Sequence, residues 1–511
     1  MKESSADHKS RLESLVTAYL DGRIEDADWE ILRQRLHEDR EARDYFRSMT
    51  DLHAALLGDS LSAGEALANR DAKDREEPGK VIAFPTSRRV AGIAIATAAS
   101  IVLCLGIWWW QKDSGEVAMA RVVGAAFDEA TTPEVGEHVT GRDFRLGSGF
   151  VELSFPRCEA SVLIEAPAAF RVVDQQTLWL ESGRLTADVQ NGKQQGLRVL
   201  TPDSDVLDLG TRFAVDVVEG RGSEVHVFEG EVIASQRDKS SGEQRSLLEG
   251  EAVRVALSGI SDRDLRRATF VHGGELDQLA KPRSPAGFEA LASAKTRMQA
   301  EPALLAFLDF ETAKERNTVT SHGVRWVQGR LPGTTAAEFL DPGDHLRLDL
   351  DMVTDQLTLM AWVRLDQVAS GINSIYHTDK WGKRGQVHWM VQEDKQMRLA
   401  LFGQSAAQDS HWPESRRAII EDLGRWVHLA TVYDAEAATV RFFIDGRFDS
   451  EVILDVAPPA VLGPAQIGNW QIANPRYDDR RLSGRLDELV ILKRTMRDEE
   501  IAAWVEVGSP Y

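Results

Sequence analysis

Paired carboxylates are the first residues in this sequence that could do chemistry. Glycoside hydrolysis with retention needs two carboxyl groups about 5–5.5 Å apart. The nearest pair is Asp487-Glu488, within the apolar run 484–492. Successive side chains of a strand point to opposite faces, so we expect these two carboxylates to be separated. The sequence therefore predicts no catalytic residue and a protein that is not an enzyme.

Metal and thiol chemistry find little support in the sequence. The chain contains two cysteines, Cys104 and Cys158, and no CxxC motif, which removes the common thiolate zinc sites. Cys104 lies in the most apolar stretch, far from Cys158, so we do not expect a disulfide. Four histidines of the C-terminal region lack the spacing of metal ligands: His377, His388, His411 and His428.

Tryptophans are the stronger candidates for binding. Trp381, Trp412 and Trp470 lie in segments flanked by Gly, Pro or Asn, which predicts loops. A loop tryptophan can stack on the face of a sugar, but it can also cap the edge of a β-sandwich, and both roles stay open. Trp362 and Trp426 lie in alternating apolar runs, where we expect core positions.

Length and charge limit what the whole protein can be. A chain of 511 residues is too long for one hydrophobic core, so several domains are expected. The net charge of −21 argues against nucleic acid as the main partner, because phosphate binding needs a basic face.

The run 90–110, VAGIAIATAASIVLCLGIWWW, contains no charged residue. At about 1.5 Å per residue, a helix of this length matches the hydrocarbon core of a bilayer. Arg88 and Arg89 precede the run, whereas Lys112 beyond it is accompanied by acidic residues. The positive-inside rule then predicts a single transmembrane helix with a cytoplasmic N-terminus.

Residues 1–57 show helical spacing of apolar residues, including Leu15, Tyr19 and Leu32, and predict a small helical head. Residues 58–89 form a charged linker. The run LVTAYLDGRIEDADWEILRQRLHEDREARDYFRSMTDLHAAL resembles the heads of membrane-bound anti-sigma regulators. This resemblance implies that Leu15, Tyr19 and Leu32 contact a sigma factor, and that the membrane is a bacterial inner membrane with the C-terminal region in the periplasm.

Residues 117–257 switch to short alternating strands, which indicates an all-β domain. Ordered motifs here, among them LESGRLTA, DLGTRFAV and VHVFEGEV, resemble the extracytoplasmic domain of FecR-type regulators. His138, His226 and Glu229 are interpreted as surface and turn residues.

A connector, 258–300, precedes a second β region, 301–511. Its ordered motifs, such as LTLMAWVRL, WVHLATVY, VRFFIDG and GRLDELVIL, resemble the laminin G-like, concanavalin A-like jelly rolls, which are sandwiches of two antiparallel sheets. Glucanases of this superfamily carry a Glu-x-Asp-x-x-Glu run, which this chain lacks. By resemblance, Asp309 and Asp487 could hold calcium; the alternative is that both only accept backbone hydrogen bonds.

The sequence thus predicts a multidomain, mainly β protein with a helical head, one transmembrane helix, a FecR-like domain and a jelly roll. The resemblance implies a transmembrane regulator that senses a ligand, such as a polysaccharide, and controls a sigma factor. Two alternatives stay open: a surface protein that binds carbohydrate or mediates adhesion without signalling, and a glycoside hydrolase.

Overall fold

The computed structural model describes residues 116–127, 133–190, 196–237, 242–279, 284–312, 316, 318–368, 371–403, 412–419, 423–471 and 480–510. All of these lie in one compact unit, Cys104–Tyr511. The predicted head with Leu15, Tyr19 and Leu32, the linker and the membrane helix at 90–110 lie outside the described residues. None of the helices within those ranges has the length and apolar composition needed to cross a membrane.

The first β domain is one twelve-stranded sheet in the described part of the chain. Its strands are β1 Ala118–Phe127, β2 Asp143–Phe155, β3 Ala160–Val172, β4 Thr177–Val189, β5 Arg198–Leu200, β6 Ser204–Asp208, β7 Arg212–Val218, β8 Gly222–Glu229, β9 Glu231–Gln236, β10 Gln244–Leu248, β11 Ala252–Ala256 and β12 Gly259–Arg263.

The long strand β4 divides this sheet into two arms. Its first residues pair in parallel with β5, whereas the stretch from Gly183 to Asp188 pairs antiparallel with β7. Apolar side chains from both arms, such as Val206 and Val225, belong to a single buried cluster. β12 continues the sheet beyond β11, so the predicted connector begins with a strand of this domain.

A longer connector helix then leads into the second domain. The described helices are α1 Gly273–Leu279, α2 Pro285–Gln299 and, near the C-terminus, α3 Asp498–Gly508. Ser284 caps α2, because its side chain accepts a hydrogen bond from the Gly287 N–H at 3.1 Å.

The second domain is a sandwich of two antiparallel sheets. Its strands are β13 Leu304–Leu308, β14 Thr320–His322, β15 Arg325–Gln328, β16 Thr335–Phe339, β17 His345–Thr354, β18 Gln356–Leu365, β19 Ile372–Thr378, β20 Val387–Gln392, β21 Gln396–Leu401, β22 Glu414–Ala418, β23 Trp426–Asp434, β24 Thr439–Ile444, β25 Arg447–Ile453, β26 Ala460–Ile467 and β27 Gly484–Leu492. The eight-stranded sheet runs β15-β16-β27-β18-β23-β24-β25, with β13 also on β27. The seven-stranded sheet runs β14-β17-β26-β19-β20-β21-β22.

Two apolar layers hold the sandwich together. Between the sheets, Leu359 and Phe442 of one sheet share a core with Trp389 of the other. The opposite face of the eight-stranded sheet is also buried, because Met298 of α2 and Trp504 of α3 pack against it. This second layer explains why β18 is buried along nearly its whole length and does not alternate in exposure.

Candidate functional site

The three tryptophans predicted to bind a ligand lie side by side around His388. The ring of Trp381 lies 4.1 Å from the ring of His388 and 5.9 Å from that of Trp412. On the other side of His388, the ring of Trp470 lies 4.3 Å away. We call this continuous set, Trp381, Trp412, Trp470 and His388, the aromatic face.

The seven-stranded sheet places the aromatic face on its outer side. His388 of β20 pairs directly with His377 of β19, and their rings stack with centroids 4.2 Å apart. Because side chains alternate along a strand, the neighbouring Trp389 points inward. There its indole nitrogen donates a hydrogen bond to the Thr431 hydroxyl at 2.9 Å.

The aromatic face is electrically neutral at its centre. Burial lowers the pKa of His388 to about 3, and the nearby Arg480 acts in the same direction. Its Nε2–H donates to the Thr378 carbonyl, with 3.1 Å between nitrogen and oxygen. His388 is itself only 4% exposed, so the neutral imidazole packs between the indole rings without an unpaired buried charge and supports their arrangement.

Access to the aromatic face differs from one tryptophan to the next. Trp381 and Trp412 are half-buried, whereas Trp470 is only 6% exposed. Two guanidinium groups lie over these rings: Arg480 is 4.6 Å from the centre of Trp470, and Arg398 is 5.7 Å from that of Trp412. Trp381 and Trp412 are therefore the rings that a ligand could reach.

Trp362 and Trp426 lie in the core, as expected, at 1% and 5% exposure. The interpretation of His226 as a surface or turn residue is wrong, because its side chain is fully buried. Burial lowers the pKa of His226, while its neighbour Glu224 opposes the shift. His138 is exposed, as expected.

The expectation that Asp487 and Glu488 point to opposite faces is wrong. Glu488 adopts a left-handed backbone, with φ of 48°, and the register of β27 against β18 shifts at this point. The irregularity turns both carboxylates toward Arg330, at 2.7 Å for Asp487 and 2.6 Å for Glu488. Both carboxyl side chains are fully buried.

Asp309, the other residue proposed for calcium, lies close to the same pair. The ammonium of Lys295 in α2 is 3.1 Å from Asp309 and 3.0 Å from Glu488. Burial alone would lower the pKa of Lys295, but these carboxylates outweigh burial and raise it. Among the described residues, no group of three or more His, Cys, Asp or Glu is arranged to hold a metal ion. The geometry favours Lys295 as the cation here.

A buried ion network between the two β domains was not predicted. Arg184 of β4 contacts Glu338 of β16 and Asp216 of β7, each at 3.0 Å. Arg325 of β15 bridges the same two carboxylates at 2.6 and 2.9 Å. Arg485 of β27 completes the network, at 2.5 Å from Glu165 and 3.2 Å from Glu338. Three arginines thus neutralise three carboxylates at the junction.

Comparison with known families identifies the two domains. Residues 160–233 match the FecR protein family, and residues 341–502 match the concanavalin A-like lectin/glucanases superfamily. The fold is therefore that of a mainly β protein of two domain types. This chain joins a FecR domain to a concanavalin A-like domain, as the sequence motifs predicted. A comparison with curated proteins gives no match.

Three solved structures that are similar to part of this chain share little of its sequence. Domain 4 of the arabinanase AbnA from Geobacillus stearothermophilus is 18% identical, with a TM-score of 0.31, covering 40% of this chain and 98% of that one. A SAP-like pentraxin from Limulus polyphemus is 18% identical, with a TM-score of 0.25 and coverages of 31% and 73%. The CBM40 domain of a Ruminococcus gnavus sialidase is 12% identical, with a TM-score of 0.23 and coverages of 29% and 82%.

Proposed function

We propose that this protein is a transmembrane signalling regulator of the FecR type that senses a carbohydrate through its concanavalin A-like domain. The observation that carries the proposal is the aromatic face on that domain, in a chain that also contains a FecR domain. In this proposal Trp381 and Trp412 stack on sugar rings, and Trp470 packs against the other side of His388.

The ion network supports a role for the junction in passing the signal. A ligand shifts an equilibrium only if it binds two states of the protein unequally. Because Glu338, Asp216 and Arg184 tie the domains through buried charges, movement of the sandwich would carry the FecR domain with it.

The proposed topology follows from the sequence. Residues 90–110 would cross the inner membrane once, with residues 1–57 in the cytoplasm and both β domains outside. There the head would bind a sigma factor through Leu15, Tyr19 and Leu32.

The adjacent carboxylates Asp487 and Glu488 of the sandwich are not placed for catalysis. A general acid and a nucleophile must reach the scissile bond, whereas Asp487 and Glu488 are buried against Arg330. We therefore propose that the protein is not a glycoside hydrolase.

A binding experiment tests the aromatic face. We expect the double variant Trp381→Ala and Trp412→Ala of the full-length chain to bind polysaccharide at least about ten-fold more weakly, because each lost stacking surface is worth roughly 1 kcal/mol. Affinity electrophoresis in gels that contain single polysaccharides measures the change. Phe448→Ala, which removes a half-exposed ring from the other sheet, is the control and should bind normally. Unchanged binding by the tryptophan variant would contradict the proposal.

Co-purification tests the regulatory role. The full-length chain should retain one sigma factor of its host, and replacement of Leu15, Tyr19 and Leu32 by Asp should abolish retention, because a charge opposes an apolar contact. Glycan binding by the same variant should persist, which shows that the outer domains are intact. If glycan binds but the unaltered chain retains no sigma factor, the alternative of a carbohydrate-binding surface protein without signalling is favoured.

A further inference from the structure

A basic turn lies next to the aromatic face of this acidic protein. Lys380, Lys383 and Arg384 surround Trp381 within five consecutive residues, and all three side chains are exposed. Within the residues that the structure describes, none of the three forms an ion pair. The chain as a whole carries a net charge of −21, so this concentration of free positive charge is a local exception.

The basic turn is fixed by hydrogen bonds. The side-chain oxygen of Gln386 accepts from the backbone N–H groups of Gly382 and Lys383, at 2.9 and 2.8 Å. Gly385 donates its N–H to the Phe402 carbonyl at 2.9 Å. A Cβ atom on Gly385 would lie 2.1 Å from the Pro459 carbonyl oxygen, so only glycine fits there. The three cations are therefore carried by a preorganised turn.

The turn places its charges at the rim of the aromatic face. The stem of Arg384 lies against Gly403, since a Cβ on that glycine would be 3.1 Å from Arg384 Cγ. The preceding Phe402 contacts the Trp381 ring, with 5.5 Å between centroids. Arg384 and Trp381 thus border the same surface.

The acidic residue nearest in sequence does not cancel this charge. Asp379 is held by two hydrogen bonds from Arg347, one of them 3.2 Å long. Since that carboxylate already has a guanidinium partner, Lys380, Lys383 and Arg384 are not neutralised by a carboxylate of the described residues.

We infer that the ligand of the aromatic face is an acidic polysaccharide. Trp381 and Trp412 stack on its sugar rings, while Lys383 and Arg384 contact its carboxylate or sulfate groups. This inference rests on the proposed carbohydrate-binding role and adds the chemical class of the carbohydrate. Because the cations are exposed, their contribution is screened by salt, so affinity should fall as ionic strength rises.

Two pairs of polymers test the inference with the full-length chain. Polygalacturonate is compared with the same polymer after reduction of its carboxyl groups, and dextran sulfate is compared with dextran. We expect the charged member of at least one pair to bind about ten-fold more tightly than its neutral partner in 50 mM salt. The pair that shows the difference identifies carboxylate or sulfate as the recognised group.

A matched double variant locates the effect. Lys383→Gln with Arg384→Gln should weaken binding of the charged polymer about five- to ten-fold, and binding of its neutral partner should stay the same. Arg447→Gln with Lys493→Gln removes an exposed arginine of β25 and an exposed lysine just after β27, and should have no effect.

The outcomes separate this inference from the proposed function. If charged and neutral polymers bind equally and the tryptophan variant weakens both, the acidic ligand is overturned and the carbohydrate-binding face is kept. If none of the four polymers binds, the acidic ligand is also overturned. Polyacrylate, which has charge but no sugar, is a control. If it binds as tightly as the charged polysaccharides, both the acidic ligand and the carbohydrate-binding face are overturned, because charge alone would then explain binding.

Discussion

At the scale of single residues, Glu311 stands out because its environment opposes ionisation. Burial raises its pKa to about 8, and the neighbouring Asp487 acts in the same direction. The ammonium of Lys295, 3.8 Å away, acts against the shift but is shared with Asp309 and Glu488. The folded protein therefore holds a proton on Glu311 at pH values where an exposed glutamate has lost it.

This shift predicts a stability that depends on pH. Between pH 4.5 and 8 the unfolded chain releases the Glu311 proton and the folded chain keeps it, so the free energy of unfolding falls as the pH rises through this window. Glu311→Gln removes the dependence. We expect the variant to be about 1–3 kcal/mol more stable than the unaltered chain at pH 8 and about equal to it at pH 4.5. Urea unfolding at both pH values measures this. Glu451→Gln, at an exposed position, should leave the pH dependence of the free energy of unfolding unchanged. If Glu311→Gln changes that free energy equally at both pH values, the raised pKa of Glu311 is contradicted.

The sequence predicts loop positions for Trp381, Trp412 and Trp470, and the fold places them in loops and brings them together around His388. Their role as ligand contacts stays a prediction. His388 was missed as a member of the group, because in an apolar strand a histidine has the same pattern as any core position. Lys295 was also missed, since its partners Asp309 and Glu488 lie 14 and 193 residues further along the chain.

At the scale of elements, β27 shows how an irregular strand and a helix support each other. Arg330 contacts the two carboxylates that the irregularity brings together, and its Nε–H donates to the carbonyl of Gly508 at the end of α3, at 2.9 Å. The guanidinium also lies 5.3 Å from the ring centre of Trp362. One side chain thus joins a strand, a helix end and a core tryptophan.

Replacement of Arg330 by Met should destabilise the protein by about 3–5 kcal/mol, because the buried Asp487 loses its partner and Glu488 keeps only Lys295. The midpoint of chemical unfolding measures the loss. Arg447→Met, at an exposed position of β25, is the control and should change stability by less than about 0.5 kcal/mol. A loss from Arg330→Met as small as that of the control would contradict the role of Arg330.

The strands of both domains follow from alternation and turn residues, but the irregularity in β27 does not. The run GRLDELVIL is a regular strand by its residue types, and only the positive φ of Glu488 separates the structure from that expectation. Such a φ at a glutamate has no signal in the local sequence, since the surrounding packing imposes it.

At the scale of the whole molecule, Glu338 is the centre of the junction between the domains. It accepts hydrogen bonds from Arg184, Arg325 and Arg485, and these bonds hold its pKa well below the usual range despite burial. The sequence predicts each fold but not this junction, because charged residues at strand positions such as Arg184 and Asp216 are usually solvated.

Glu338→Ala should loosen the junction, since it leaves three buried guanidinium groups with two carboxylates. We expect a loss of about 3–5 kcal/mol and two separate thermal transitions in place of one. Differential scanning calorimetry of the full-length chain measures both. Asp143→Asn breaks an ion pair with Arg171 whose members are 64% and 51% exposed, and should cost no more than about 1 kcal/mol. A single transition with an unchanged midpoint in Glu338→Ala would show that the network does not couple the domains.

The junction also constrains how such a protein can diversify. If a homologous sandwich without the equivalents of Glu338, Arg325 and Arg485 were grafted onto this FecR domain, the buried side chains of Arg184, Glu165 and Asp216 would be left with unbalanced charge. New ligand specificities are therefore expected to arise by changes in the loops around the aromatic face, and exchange of the whole sandwich between lineages should require compensating changes on both sides of the junction.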